Sequence, residues 1–460
     1  MSKPGIPKGT RDFGPREMAR RNHIFSVIRR VFEAYGFVQI ETPAMENLST
    51  LTGKYGEEGD QLIFKILNNG DFLTKADYEA IAANDSKRTA FSISKKALRY
   101  DLTVPFARFV VMNQNELAFP FRRFQIQPVW RGDRPGRGRY QEFFQCDVDI
   151  VGTDSLLCEV ELILIFDRAL TELRIPNFAI HLNNRKVLAG IAEMAGVTDR
   201  LGDLTIAIDK LDKIGRDGVE DELRQRGFSD VEITAVAPLF GINGERSEVL
   251  AVLEAALAAS EIGLKGVAEL RTVVEHVERL GFQTAKLVID PTLARGLDYY
   301  TGAIFEVKVS DAPVGSICGG GRYDDLTGIF GLKGLSGVGI SFGADRIYDV
   351  MEHFELFPTN ADVSTEVLIV NFDAATEADD LALAENLRSA GLRCELYPEP
   401  TKLKKQLKYA NDKQIPFVVM AGDEERAKGV LTLKNMQSGE QFELAPADLA
   451  AKLRSNRSWE

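Results

Sequence analysis

The chain of 460 residues has room for roughly three domains of ordinary size. Its 45% hydrophobic and 27% charged residues exclude wholesale disorder and collagen-like repeats. Lys and Arg number 56 against 68 Asp and Glu, a formal net charge of -12, which argues against a histone-like coat for DNA but leaves local basic patches open.

The opening stretch MSKPGIPKGTRDFGP is polar and has no apolar centre, so no cleaved signal peptide is expected. The longest apolar runs, such as residues 162–166, fall far short of the roughly 18 residues a membrane span needs. A soluble, cytoplasmic protein is the expectation. Residues 16–35 predict a helix: Ile24, Val27, Ile28, Val31, Phe32 and Tyr35 recur at helical spacing, and Gly36 stands just past its end. FVQIE predicts a strand, stopped by Pro43, and residues 44–100 are polar and mixed. Residues 122–131 alternate, Phe124, Ile126, Pro128 and Trp130 against Arg123, Gln125, Gln127 and Arg131. Residues 141–150 alternate again, Phe144, Cys146, Val148 and Ile150 against Gln145, Asp147 and Asp149. With GDRPGRG between them, the two runs predict an antiparallel hairpin. Residues 155–173 lack breakers and predict a buried helix. Residues 182–281 are rich in Ala, Asp, Glu and Lys at helical spacing and predict a helical insertion. Strands are expected at 285–290 and 301–309, then a glycine-dense stretch to Gly343 and a helix to about Phe354. PTNADVST reads as a linker. From Glu366 the pattern turns to βαβ and predicts a small parallel α/β domain.

Between Arg122 and Arg139 six arginines stand against one acid, Asp133. Guanidinium forks bind phosphate and carboxylate oxygens two at a time, so the cluster suits an anionic substrate; a solvated, ion-paired edge has the same composition. Gln145 and Asp149 share a strand face, roughly 13 Å apart along the strand. A polar sheet face is costly unless it meets solvent or a ligand, and acids there complement an ammonium or imidazolium. Upstream, Arg99, Asp101 and Thr103 share parity in LRYDLTVPFAR. Downstream, LARGLDYYTGAIFEV carries Arg295, Asp298, Tyr299 and Tyr300, and the three glycines of CGGGRYDDL leave no side chain to block a flat ligand. GLSGVGISFGADRI predicts a strand entering a helix, with Arg346 in its first turn. The GxSxG match at 339–343 has only His353 after it, in the same predicted helix, so no hydrolase triad is expected. The glycines fit neither a P-loop nor a dinucleotide fingerprint. Four scattered cysteines form no CxxC pair and four isolated histidines form no HExxH or HxxxH pattern, so no metal site held by the chain itself is expected.

In this order the segments resemble the class II aminoacyl-tRNA synthetases, and most specifically the histidyl-tRNA synthetases. PKGTRDFGP is similar to their N-terminal signature, FVQIETP with Pro43 to motif 1, FRRFQIQPVWRGDRPGRGRYQEFFQCDVDI to motif 2 and GVGISFGADRI to motif 3. LARGLDYYTGAIFEV and GGGRYDDL resemble two motifs peculiar to the histidyl enzymes. The resemblance covers nearly the whole chain and is least over residues 65–97, an added stretch, and over the insertion. It implies an α+β catalytic domain with a mixed, mainly antiparallel sheet over residues 1–181 and 282–355. It further implies a helical insertion domain over 182–281 and a small C-terminal α/β anticodon-binding domain over 365–460.

The activity so implied is ATP-dependent ligation of L-histidine to its tRNA through a histidyl-adenylate, by a cytoplasmic homodimer using Mg²⁺, with no DNA or membrane partner. Carried over residue by residue, Arg131 and Arg295 are the catalytic pair, holding the α-phosphate from two sides, with Arg131 also on the histidine carboxylate. The ATP site adds Asp133, Arg139 and Arg346, the last on the far phosphates. The histidine site takes Asp101, Leu102, Thr103 and Gln145, of which Asp101, Thr103 and Gln145 bind the α-amino group. Asp149 with Tyr300 reads the imidazole, and Tyr299 and Tyr323 line that pocket. Many bacterial members carry Glu where this chain has Asp101, Asp133 and Asp149, and Asp345 replaces the usual Glu before the motif 3 arginine. In TKLKKQLKYANDK, Leu403, Leu407 and Ala410 share a face while Lys402, Lys404, Lys405 and Lys408 occupy the rest. Alone this suits a solvated basic face; with the resemblance it suits tRNA phosphates. The alternative is a non-catalytic, synthetase-like regulatory subunit binding a small molecule, which is expected to lose the arginines or the C-terminal domain.

Overall fold

The computed structural model describes residues 4–294, 299–358 and 364–455. The chain divides into two compact units, residues 1–11 with 24–356 and residues 12–23 with 357–460.

The first unit is built on strands β1 (Val38–Gln39), β2 (Met45–Asn47), β3 (Lys65–Ile66), β4 (Lys96–Leu98), β5 (Phe121–Trp130), β6 (Glu142–Val151), β7 (Phe178–Asn184), β8 (Lys286–Ile289), β9 (Ala303–Val309), β10 (Cys318–Tyr323) and β11 (Gly337–Gly343). Eight of them form one mixed sheet in the order β1-β5-β6-β11-β10-β9-β7-β8. Only β1 with β5 and β7 with β8 run parallel. The long hairpin β5–β6 pairs Arg123 with Asp149, Phe124 with Val148 and Gln125 with Asp147. Strict alternation therefore sorts the strands into an apolar and a polar face. On the apolar face Phe32, from the helix Pro15–Ala34, meets Phe124 and Phe342 with ring centroids 5.5 and 5.7 Å away. Phe166, from the buried helix Leu157–Glu172, meets Phe342 at 5.2 Å and Phe305 at 6.5 Å. Truncating such a buried ring costs about 3–5 kcal/mol, so this seam holds the sheet against its helices.

The polar stretch before β5 holds more order than its composition suggested. β2, β4 and β3 form a small antiparallel sheet, and the short helices Tyr78–Ala82 and Ser86–Ile93 are each started by an Asp. Asp77 accepts from the Ala80 N–H at 2.9 Å and Asp85 from the Arg88 N–H at 3.0 Å, the usual satisfaction of a helix's first free donors. Residues 182–184, expected in the helical stretch, complete β7 instead; the helices begin at Arg185–Met194 and end with Glu261–Leu280. That last helix starts on the Ser260 side chain, buries Leu270, Val273, Val274 and Val277, and stops at Gly281, whose φ of 79° favours glycine.

The second unit carries β12 (Val367–Ile369), β13 (Cys394–Leu396), β14 (Phe417–Met420), β15 (Leu431–Asn435) and β16 (Gln441–Leu444) in the order β13-β12-β14-β15-β16. Only β13, β12 and β14 are parallel; β15 and β16 turn back antiparallel, so the sheet is mixed rather than parallel. β12 and β14 are apolar throughout because both faces are covered. Val367, Ile369 and Val419 pack with Leu387 and Leu449, and Leu368, Val370 and Val418 with Ala410 and Ile415. Among the described residues no helix is long and apolar enough to cross a membrane.

Candidate active site

The polar face of the large sheet opens onto a cavity. Asp101 and Thr103 reach it from the start of the helix Thr103–Asn113, Arg131 from just past β5, and Gln145 and Asp149 from β6. Tyr299, Tyr300 and Tyr323 close it from the approach to β9 and the end of β10. Segments nearly 200 residues apart thus converge, since Tyr299 donates its hydroxyl to Asp101 Oδ2 at 3.1 Å.

The carboxylates are wired differently. Asp101 Oδ1 accepts from the Tyr55 hydroxyl at 2.8 Å and the Val104 N–H at 3.2 Å. Asp149 Oδ1 accepts from the Tyr323 hydroxyl at 2.6 Å, and its Oδ2 lies 2.7 Å from Nη2 of the fully buried Arg123. That contact is an ion pair without hydrogen-bond alignment. Asp147, between Gln145 and Asp149 along β6, also lines the cavity. Burial pushes the Asp147 carboxyl up to about 7, with Arg123 opposing and Asp149 adding to the rise. Burial likewise raises Asp101 and Asp149 above the usual carboxylate range, opposed by tyrosine hydroxyls and by Arg131 and Arg123 respectively. The tyrosines are held protonated by burial and by the neighbouring acids, so at neutral pH they are donors.

Arg131 is posed as a fork. Its Nε donates to the Tyr100 carbonyl at 3.0 Å, and its guanidinium lies 4.3 Å above the Tyr100 ring. The two terminal nitrogens make no hydrogen bond among the described residues, which leaves the paired donors for a ligand.

Residues 86–347 match the family model for histidyl-tRNA synthetase, and residues 366–456 match that for an anticodon binding domain. The histidine--tRNA ligase of Porphyromonas gingivalis is 58% identical over 98% of this chain and 98% of its own. That of Cytophaga hutchinsonii is 54% identical over 98% of this chain and 100% of its own. The chain belongs to the histidyl-tRNA synthetase family. The crystal structure of histidyl-tRNA synthetase from Nostoc sp. PCC 7120 has the same fold, with a TM-score of 0.84 at 33% identity over 98% of this chain and 99% of that one.

Other residues carried over from the family lie outside the cavity lining. Arg346, in the first turn of the helix Ala344–His353, donates from Nε to the Gly138 carbonyl at 2.9 Å and from Nη1 to the Ser316 carbonyl at 2.6 Å. It thereby grips the β5–β6 loop. Arg139 is exposed on that loop, and the Asp133 carbonyl accepts from Gln141 at 3.0 Å. Leu102 is buried directly before the helix Thr103–Asn113. Asp345 accepts from the Phe144 N–H at 2.8 Å and pairs with Arg11, so the N-terminal signature is tied to both motif 2 and motif 3. Arg295 lies outside the described residues. Lys402, Lys404, Lys405 and Lys408 are exposed on the second unit, on or beside the helix Leu403–Asp412, with Lys408 2.6 Å from Asp412.

The glycine-dense stretch serves the cavity in two ways. The glycines of CGGG and GVGISFG make room for protein as well as for the cavity, which Gly320 and Gly339 line: a Cβ on Gly339 would clash with Asp149, and one on Gly321 would sit 2.8 Å from the Tyr300 ring. Ser341 stands in the unbroken strand β11, not on an elbow, and accepts from Gln145 Nε2 at 2.8 Å. It is part of the cavity, where parity with Asp147 and Gln145 across β6 and β11 puts it. Arg123 and Tyr55, which set the acids in place, carry no signal in the sequence beyond strand parity for Arg123.

Proposed function

We infer that the protein joins L-histidine to its tRNA in two steps. ATP and histidine first give histidyl-adenylate and pyrophosphate; the histidyl group then passes to the terminal ribose of the tRNA and AMP leaves. The observation that carries the site is the free guanidinium fork of Arg131 in the same cavity as a row of buried acids. One end suits carboxylate and phosphate oxygens, the other an ammonium and an imidazole.

The roles are proposed as follows. Arg131 holds the histidine carboxylate against the α-phosphate and, with Arg295, offsets the negative charge that spreads over the phosphoryl oxygens as the carboxylate attacks in line. Positioning does most of the work, because no covalent enzyme intermediate is needed. Arg346, Arg139 and Asp133 serve the ATP side, where Arg346 already orders the loop through Gly138. Asp101, Thr103 and Gln145 take the ammonium, Leu102 fixes the turn that presents them, and Asp149 with Tyr300 faces the imidazole while Tyr299 and Tyr323 wall it in. Mg²⁺ is proposed to arrive with the nucleotide. Phosphate oxygens and water are its usual ligands, and among the described residues no group of three His, Cys, Asp or Glu side chains is placed to hold a metal by itself.

Residues 1–181 and 282–355 are proposed as the catalytic domain and 182–281 as a helical insertion. Residues 365–460 are proposed to read the anticodon, with Lys402, Lys404, Lys405 and Lys408 on tRNA phosphates. A homodimer is proposed through motif 1, supported by the exposed apolar side chains of Val38 and Met45 around Pro43. A cytoplasmic location is proposed from the requirement for ATP and tRNA. Histidine-dependent exchange of pyrophosphate into ATP, followed by charging of purified tRNA, tests the reaction. Absence of exchange with histidine, or equal exchange with other amino acids, refutes it.

A further inference from the structure

Residues 7–11 strap the base of the loop that joins β5 to β6. A turn shapes the strap: the Thr10 N–H and hydroxyl both reach the Pro7 carbonyl, at 3.3 and 2.8 Å. Gly9, at a φ of 80°, then presents its carbonyl to the Gln141 N–H at 2.8 Å. Gln141 stands at the far root of the loop and passes the contact on. Its own carbonyl accepts from the Arg131 N–H at 3.0 Å, and its side-chain amide donates to the Asp133 carbonyl at 3.0 Å. In series these bonds link Gly9 to the backbone of Arg131.

Arg11 continues the strap. Its guanidinium lies 3.4 Å from the centre of the Tyr140 ring and pairs with Asp345, which precedes Arg346. Asp345 is buried and also accepts from the Phe144 N–H at 2.8 Å, while Tyr140 donates its hydroxyl to Asp349 Oδ2 at 2.9 Å. One cation therefore joins the end of the loop to the helix that carries Arg346, and Arg346 itself holds Gly138. Arg134, Arg137 and Arg139 are exposed at the crest, where Gly136 bridges only to Arg139 of the same loop. Such a crest takes its place from its roots. The histidine end of the cavity is held from elsewhere, Asp101 by Tyr55, Val104 and Tyr299, and Asp149 by Tyr323. We propose that the strap is a positioning element for the ATP side of the site, with Gly9 and Arg11 fixing the loop so that Arg131 and Arg139 are presented to the nucleotide. Arg11 is a positioning residue, since it acts through Tyr140 and Asp345. The proposal rests on the reading of Arg131, Arg139 and Arg346 as ATP ligands and adds what aligns them.

Equilibrium binding of ATP with Mg²⁺ and of histidine, each by calorimetry on the full chain, tests this without requiring turnover. Arg11→Ala removes the cation. Gly9→Ala leaves every charge in place but forces a side chain into a positive φ and sets its Cβ 2.7 Å from Gln141 Cγ. Because the two variants break different contacts, a folding fault in one does not decide the matter. Each should weaken ATP binding roughly tenfold and leave histidine binding within about twofold of wild type. Each should also speed trypsin cleavage after Arg137 and Arg139, with cleavage elsewhere and thermal unfolding as in wild type. ATP affinity in both variants within about twofold of wild type overturns the proposal. An equal loss of ATP and histidine affinity also overturns it, as the mark of a general structural fault. Weakened ATP binding with unchanged cleavage after Arg137 and Arg139 does so too, because the strap would then act other than through the loop. Wild type that binds both ligands yet exchanges no pyrophosphate would instead refute the proposed reaction, with the strap still decided by the binding ratio.

Discussion

Replacing Arg131 by Lys keeps the charge and removes the fork. In the structure the guanidinium is oriented by its Nε hydrogen bond to Tyr100 and by stacking on the Tyr100 ring, so its terminal nitrogens are delivered as a fixed pair. A lysine ammonium has no equivalent of Nε and loses the planar stack. The second charge-assisted hydrogen bond to the substrate is worth about 2 kcal/mol. The orienting bond and the cation–ring contact together add about 1–2 kcal/mol. A loss of about 3–4 kcal/mol corresponds to a fall of roughly 150- to 900-fold in kcat/KM for adenylate formation. The assay is histidine-dependent pyrophosphate exchange at saturating ATP, read beside thermal unfolding to show that the fold survives. The fall should lie in kcat as well as KM, because the fork acts on charge that develops in the transition state. Exchange within fivefold of wild type would refute the role given to Arg131, since a point charge would then serve as well as a fork.

Asp149→Asn should destabilise the first unit by about 3 kcal/mol in denaturant unfolding, because it strands the fully buried Arg123 guanidinium without its closest counter-charge; unchanged stability would show that Asp147 neutralises Arg123 unaided. Charge reversal at Lys404, Lys405 and Lys408 should weaken tRNA binding and flatten its salt dependence while histidine-dependent exchange persists. Loss of both activities together would place the tRNA surface elsewhere.

Much of the fold was legible where one physical constraint dominates. The alternation of residues 122–131 and 141–150 gave the hairpin, and the 3.6-residue spacing of Ile24, Val27, Ile28 and Val31 gave the first helix, because a one-residue slip would turn an apolar face to water. The two strands β15 and β16 were missed although GVLTLKN and QFEL flank a Ser-Gly turn; they are short, and the preceding βαβ pattern suggested a parallel sheet throughout. The sheet of β2, β3 and β4 was invisible because strands of two and three residues carry no period. Parity placed Gln145, Asp147 and Asp149 on one face but could not say which acid is already occupied, since Tyr323 and Arg123 arrive from other strands. Ser341 reads as part of a strand, as the ladder to β6 and β10 has it, but its place in the cavity needs the pairing with Asp147 across β6, which the sequence does not state.

The site follows from a division of labour between the two faces of one sheet. Phe32, Phe124, Phe166 and Phe342 fix the strands from the apolar side, and that rigidity lets the other side hold acids that water would otherwise solvate. Each such acid raises the cost of the empty cavity, and each is offset in a different way: Asp101 by tyrosine hydroxyls, Asp149 by a buried guanidinium, Asp147 by a serine and by holding its proton up to about pH 7. The glycines at 339 and 321 belong to the same design, since a methyl group at either would push Asp149 or Tyr300 out of place. In the proposed reading, specificity for histidine comes from these polar groups, an arrangement that rejects analogues more strongly than an apolar pocket can.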